Sequence, residues 1–299
     1  MTHRQRDLRK GALSDKELDD EDLGEEAEEQ VADLSHKEEI DVEERRAPPA
    51  KVVHEAIRRQ GIEELERPTW SLIWSGLAAG IVMGMSILSE ALLKERLPDT
   101  PWRDFLSSLG YTVGFIIVIL GRLQLFTEST ITAVLPLVTA PSWASFGRTM
   151  RLWVLVFFAN MVGTFEFALF THVGGFGGIE MQATIVDVSR KILEHGPFDT
   201  FLLAIPSGFL LATVVWLMPS ASGERIWVVT LLTWLIALGG FAHVIAGSCE
   251  AWVLLLDGQM TASQALGGFL GPALLGNIFG GTALFALLAH AQVRREIHN

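Results

Sequence analysis

The residues best placed to do chemistry in this sequence are polar groups set within apolar stretches. His243 lies in Gly239-Gly240-Phe241-Ala242-His243-Val244-Ile245-Ala246-Gly247-Ser248, with glycines on both sides. An imidazole deep in such a segment is costly and points to a functional pathway, although a hydrogen-bonded packing histidine is the plainer alternative. Its ordinary pKa of about 6.5 would let it exchange a proton near neutrality. A second interruption reads Gly121-Arg122-Leu123-Gln124-Leu125-Phe126-Thr127-Glu128-Ser129-Thr130. Irregular backbone at membrane depth is tolerated only where it faces protein or a cavity. Both interruptions are therefore expected to break a helix and line a path. Arg122 and Glu128 are expected to pair with each other inside the bundle or at a subunit contact.

Broken helices aim their ends at mid-membrane, where backbone N–H groups can meet an anion. A histidine, a threonine hydroxyl and exposed amides suit a small monovalent anion. No second histidine or carboxylate lies at ligand spacing from His243, so neither a metal nor a cofactor is expected. The single cysteine, Cys249, excludes an internal disulfide and reads as a buried structural thiol. An intramembrane hydrolase using Ser207 or Ser248 with His243 is disfavoured, because no Gly-x-Ser-x-Gly elbow surrounds either serine.

The elements that must position these groups follow from a sharp change in composition. Before Pro68 charges are dense, and after it they nearly vanish for long stretches. The net charge of −12 comes mostly from the segment around Glu17 to Glu44. That acidic segment, residues 1–47, is expected to be a disordered tail, and its sign argues against nucleic acid as a partner. Residues 48–68 are expected to form an amphipathic helix on the membrane surface or against the bundle, with Val52, Val53, Ile57, Ile62 and Leu65 at roughly helical spacing. Residues 69–292 form the membrane domain and 293–299 a short tail. No secretory signal peptide is evident.

A crossing needs about 20 apolar residues. The apolar runs predict an all-α, six-span polytopic membrane protein, with spans near 70–93, 105–137, 150–170, 198–218, 226–256 and 266–291. A polar, glycine-bearing connection is expected from Thr171 to Pro197. The second and fifth runs are too long for one simple crossing, and they hold the two interruptions. The third and sixth share a motif, Asn160-Met161-Val162-Gly163 and Asn277-Ile278-Phe279-Gly280. Its recurrence at the same place in each set of three predicts an inverted 3+3 repeat. Lys and Arg in the flanks place both termini in the cytoplasm.

Leu125-Phe126-Thr127, Gly240-Phe241-x-His243 and the paired Asn-x-x-Gly motifs together resemble the formate/nitrite transporter family over about residues 70–291. The amphipathic lead-in is similar to that of its YfdC-type branch. The resemblance implies an aquaporin-like protomer with its own pore, assembled as a homopentamer in a bacterial inner membrane. It implies passage of formate, nitrite, hydrosulfide or a similar small anion, with or without a proton. His243 would be the central pore histidine and Thr127 the threonine of the first break. Leu125 and Phe126, with Ile236 and Leu211, would form apolar constrictions, and Lys191 would be a vestibule lysine. The chain departs from better-known members in having Ala242 and Gly247 where they carry an acidic residue and an asparagine, and Ser207-Gly208 where they have Cys-Asn. It also lacks the paired Asn-Pro-Ala signature of aquaporins. An altered or occluded pore serving another solute or a structural role is the alternative.

Overall fold

The computed structural model describes Val42 and residues 46–297, which are helical with connecting turns. Most of the acidic segment 1–47 lies outside the described residues. The first element, α1 (Ala50–Glu66), is an unbroken helix. Gly61 does not interrupt it, because that glycine lies directly over the Thr132 carbonyl, where a Cβ would collide. Val53, Ile57 and Leu65 are buried while Val52 is exposed, so one face packs on protein.

Among the described residues, five helical runs are long and apolar enough to cross a membrane. They are α2 (Thr69–Arg96), α3 (Arg103–Leu120), α5 (Trp143–His172), α7 (Pro197–Leu217) and α10 (Gln264–Arg295). Three shorter apolar helices accompany them: α4 (Ser129–Thr139), α8 (Arg225–Leu238) and α9 (Val244–Leu256). At about 1.5 Å per residue, neither α8 nor α9 alone reaches across a hydrocarbon core of roughly 30 Å. Each long run expected as the second or fifth span is thus two pieces, α3 and α4 around residues 121–128, and α8 and α9 around residues 239–243. The expected connection from Thr171 to Pro197 instead contains a helix, α6 (Gly178–Ser189). Met181, Ile185 and Val188 are buried on it at helical spacing. The glycines of the preceding turn hid that short apolar stripe.

The scaffold rests on two tight helix pairs, α2 with α5 and α7 with α10. Small residues make each close approach possible. On α5, a Cβ on Gly163 would strike the Leu77 carbonyl of α2, and on α10 a Cβ on Gly280 would strike the Ile205 carbonyl of α7. Gly80 and Gly208 meet Asn160 and Asn277 across the same two contacts. These pairings bring the Asn-x-x-Gly motifs beside the two broken helices.

Candidate functional site: two helix breaks at a buried histidine

Both breaks begin with the same turn. The Gly121, Arg122 and Leu123 amides donate to the Ile117, Ile119 and Val118 carbonyls, and the Gly239, Gly240 and Phe241 amides donate to Leu235, Ala237 and Ile236 in the same order. This six-to-one and five-to-two pattern is the Schellman motif, whose pivotal residue takes a left-handed conformation usually filled by glycine. Gly240 occupies it with φ +60°, and Arg122 occupies it with φ +52°.

Each break is then held by a buried asparagine. Asn160 Oδ1 accepts from the Phe126 amide at 2.9 Å, and its Nδ2 donates to the Gly76 and Gln124 carbonyls at 2.7 and 2.9 Å. Asn277 Oδ1 accepts from the Val244 amide at 2.8 Å, and its Nδ2 donates to the Ala204 and Ala242 carbonyls at 2.8 and 2.9 Å. One side chain thereby satisfies backbone groups that leaving the helix has orphaned. Gly163 and Gly280, one turn along, let each asparagine approach its break.

The breaks bring Thr127 and His243 together. Thr127 Oγ1 lies 2.8 Å from His243 Nε2, with both residues buried. His243 Nδ1 accepts from the Ala246 amide at 3.1 Å, capping the N-terminus of α9. A neutral imidazole has one donor and one acceptor. With Nδ1 accepting, the hydrogen bonds assign the proton to Nε2, which donates to the threonine oxygen. The Thr127 hydroxyl proton is left to donate elsewhere. Phe115 of α3 packs edge-on against the imidazole, with ring centroids 5.0 Å apart. Neither serine of the hydrolase alternative is bonded to His243. The Ser248 hydroxyl lies within hydrogen-bond distance of the Thr164 hydroxyl and the Ile245 carbonyl, and Ser207 Oγ has no partner among the described residues.

Two cavities lie at opposite ends of α7 and α8. One, of about 120 Å³, is lined by Thr200 and Leu203 near the start of α7 and by Ile236 and Ala237 near the end of α8. His243, Phe241, Lys191 and Glu250 also face it. The other, of about 490 Å³, is lined by Val215 and Met218 at the far end of α7 and by Arg225 at the start of α8. Arg122, Gln124 and Glu128 reach it from the first break, and Glu63, Glu64 and Arg67 reach it from α1 and its end. Leu125, Phe126, Thr127 and Leu211 line neither cavity and are 2% exposed or less. The Phe126 ring turns toward α5, packing on Trp153 and Phe157.

Within the protomer Arg122 and Glu128 do not pair. The Arg122 side chain forms no hydrogen bond or ion pair with any described residue, and Glu128 Oε1 is buried without a partner. Both residues face the larger cavity, Arg122 from the left-handed turn that opens the break and Glu128 from its far end.

Lys191 does reach the smaller cavity, but within a cluster that sequence reasoning missed. Its Nζ lies 3.2 Å from Glu90 Oε2 and 3.1 Å from Glu250 Oε1, and it sits over the Tyr111 ring at 5.5 Å. Burial works to lower the lysine's pKa, but the two carboxylates more than offset it and hold the ammonium above its ordinary range. An acidic residue inside an apolar run is a signal in its own right, and Glu250 carried it. Gly247, where better-known relatives were expected to differ, leaves room for the Phe269 ring beside the same cavity. Among the described residues no group of three or more His, Cys, Asp or Glu side chains is arranged to hold a metal.

Residues 51–291 match the sequence model described as formate/nitrite transporter. The chain belongs to the formate/nitrite transporter family. It is 41% identical over 261 residues to the inner membrane protein YfdC of Escherichia coli strain K12, covering 87% of this chain and 84% of that protein. It is 25% identical over 245 residues to the formate channel FocA of Haemophilus influenzae, covering 72% and 84%. Among solved structures it resembles an FNT family ion channel with TM-score 0.69 at 18% identity, over 81% of this chain and 98% of that one. It also resembles a pentameric formate channel with formate bound, with TM-score 0.61 at 19% identity, over 77% and 98%. The chain is thus a membrane protein of a formate/nitrite transporter family of channels, not a family of enzymes.

Proposed function

We propose that this chain is a six-span channel for small monovalent anions of the formate, nitrite or hydrosulfide class, with permeation passing between Thr127 and His243. The observation that carries this reading is the 2.8 Å contact between those two residues at the meeting point of two broken helices, with a cavity at either end. An anion entering the break meets the Thr127 hydroxyl, whose proton the bond from His243 leaves uncommitted, beside the first turn of α9, where the Val244 and Ala246 amides are already bonded to Asn277 and His243. The buried Leu125 and Leu211 exclude water, so a bare anion faces a large desolvation penalty. A hydrogen bond relayed from His243 Nε2 through Thr127, or protonation of the anion, lowers that barrier. Phe126 backs the constriction from the α5 side, Ile236 lines the smaller cavity, and Lys191 serves the vestibule on that side.

The matched turns and matched asparagines favour an inverted repeat of three spans each, with α3–α4 and α8–α9 as the second and fifth spans. The solved pentameric relative supports a homopentamer with one pore in each protomer. The YfdC name supports the bacterial inner membrane, and the Lys and Arg flanks support cytoplasmic termini, which puts α1 on the cytoplasmic face. Helix faces left apolar and exposed, such as Phe158, Val162, Phe165 and Leu169 of α5, suit lipid or neighbouring protomers.

The test is flux of formate and nitrite into proteoliposomes carrying wild-type protein or His243→Phe. The substitution keeps a buried ring but removes both nitrogens, so flux is expected to fall at least about tenfold, the equivalent of one charge-assisted hydrogen bond. Any dependence of flux on pH that the wild type shows through this imidazole is expected to be lost with it. Unchanged flux and pH profile would overturn the histidine's role, and no flux of either anion in the wild type would overturn the substrate class.

A further inference from the structure

We infer that Arg122 captures anions at the cytoplasmic mouth of the pathway and sets how readily they enter from that side. This rests on the anion-channel reading above.

The case begins with the backbone. The two breaks open with the same turn, and the left-handed position of that turn is Gly240 in one and Arg122 in the other. Among the described residues Arg122 is the only non-glycine with positive φ. A side chain there works against the backbone, since left-handed conformations are disfavoured for all residues but glycine. The turn itself therefore has no need of an arginine, and the second break forms it without one. Strained residues of this kind cluster where a side chain serves a site.

The side chain is positioned for such a role. It is exposed into the cavity of about 490 Å³, three positions before Leu125, and makes no ion pair or hydrogen bond with any described residue. The other guanidiniums facing the cavity differ in placement. Arg225 donates to the Ala221 carbonyl, and Arg67 follows the end of α1. Three carboxylates, Glu63, Glu64 and Glu128, face the same space. Glu64 accepts from Thr132 and Gln60, and burial raises its pKa. Arg122 thus supplies an uncommitted positive charge beside the constriction, and without it the carboxylates would weigh more heavily against an approaching anion. A guanidinium fork also matches a carboxylate or nitrite, each of which offers two oxygens.

The experiment uses full-length channel in planar bilayers, with orientation fixed by protease access to the N-terminal segment and formate or nitrite as the permeant probe. Arg122→Gly is expected to fold, because Gly240 already makes this turn. At low ionic strength, R122G should reduce current carried by anions entering from the α1 side by about fivefold, the effect of one charge about 4 Å away at the dielectric of bulk water, as suits a side chain in an open cavity. Current in the opposite direction should change little, and Arg122→Lys should keep most of the wild-type behaviour. The difference should shrink toward 1 M salt, where screening acts within about 3 Å. Unchanged current in R122G, or an equal loss in both directions, would overturn the inference while leaving the channel reading intact. A wild type that passes neither probe would overturn the channel reading, and the inference with it.

Discussion

Replacing Asn277 with leucine removes one side chain that serves three backbone groups. Two of them, the Val244 amide and the Ala242 carbonyl, belong to the second break and lie outside any helical ladder. Left buried without a partner, each costs about 1–3 kcal/mol. The third, the Ala204 carbonyl, sits inside α7, where the helix itself offers a partner, so its loss adds little. Leucine also forces a branched side chain against Gly208, which meets the Asn277 backbone directly. The sum is about 2–6 kcal/mol. At roughly 2 °C per kcal/mol for a chain of this size, the thermal midpoint in detergent should fall by about 4–12 °C. The damage should be local before it is global. Amides of residues 242–246 should lose protection in hydrogen exchange at temperatures where α2 and α5 remain protected. Because His243 lies between the two orphaned groups, anion flux should fall even where the protein remains folded. Asn160→Leu should show the mirror pattern, with exposure centred on residues 124–127. A midpoint within about 1 °C of wild type, or exchange that rises uniformly along the chain, would refute the claim that the asparagines hold the breaks.

Two further outcomes follow from the packing. His54 is fully buried on α1, with Nε2 3.2 Å from His290 Nδ1, and its pKa is lowered to about 4, first by burial and then by His290. The unfolded or undocked segment takes up a proton near its ordinary value of 6.5 while the docked one does not, so docking is strongest above about 6.5 and weakens as pH falls toward about 4. Exchange protection of α1 should follow that window, and His54→Phe should flatten it; a wild-type profile that does not change across it would refute the linkage. Gly280→Ala places a methyl against the Ile205 backbone carbonyl, a contact no rotamer can relieve. It should cost about 1–3 kcal/mol, read as a lower thermal midpoint, whereas Gly147→Ala, with open space around it, should not.

The apolar runs and their excess length were legible in the sequence, because hydrocarbon imposes a length rule that polar residues cannot satisfy. The place of each break was legible for the same reason. Lone polar groups at membrane depth, Thr127 and His243, marked where backbone leaves the helix. Asn160 and Asn277 showed as a motif, but their function depends on which carbonyls stand across a helix contact, which no spacing records. The Lys191 cluster joins Glu90, Glu250 and Tyr111 from separate helices, so its members carried only individual signals. Within the protomer Arg122 and Glu128 form no ion pair although both face the larger cavity, and the left-handed turn at Arg122 was not legible from spacing. Helix α6 was missed because a short amphipathic stripe behind a run of glycines looks like loop.

The hydrogen bonds around the two breaks fall into unequal classes. Each asparagine ties its own break to the helix packed against it, and none of those bonds joins one break to the other. The breaks themselves meet through the Thr127–His243 bond, and their surroundings are joined by further bonds: Ser248 and Trp252 of α9 reach Thr164 of α5, Thr282 of α10 reaches the Thr130 carbonyl of α4, and Trp234 of α8 reaches Ser108 of α3. On the channel reading proposed above, the Thr127–His243 bond is the one a passing ion must part, and the six asparagine bonds that hold the two breaks can stay closed while it does.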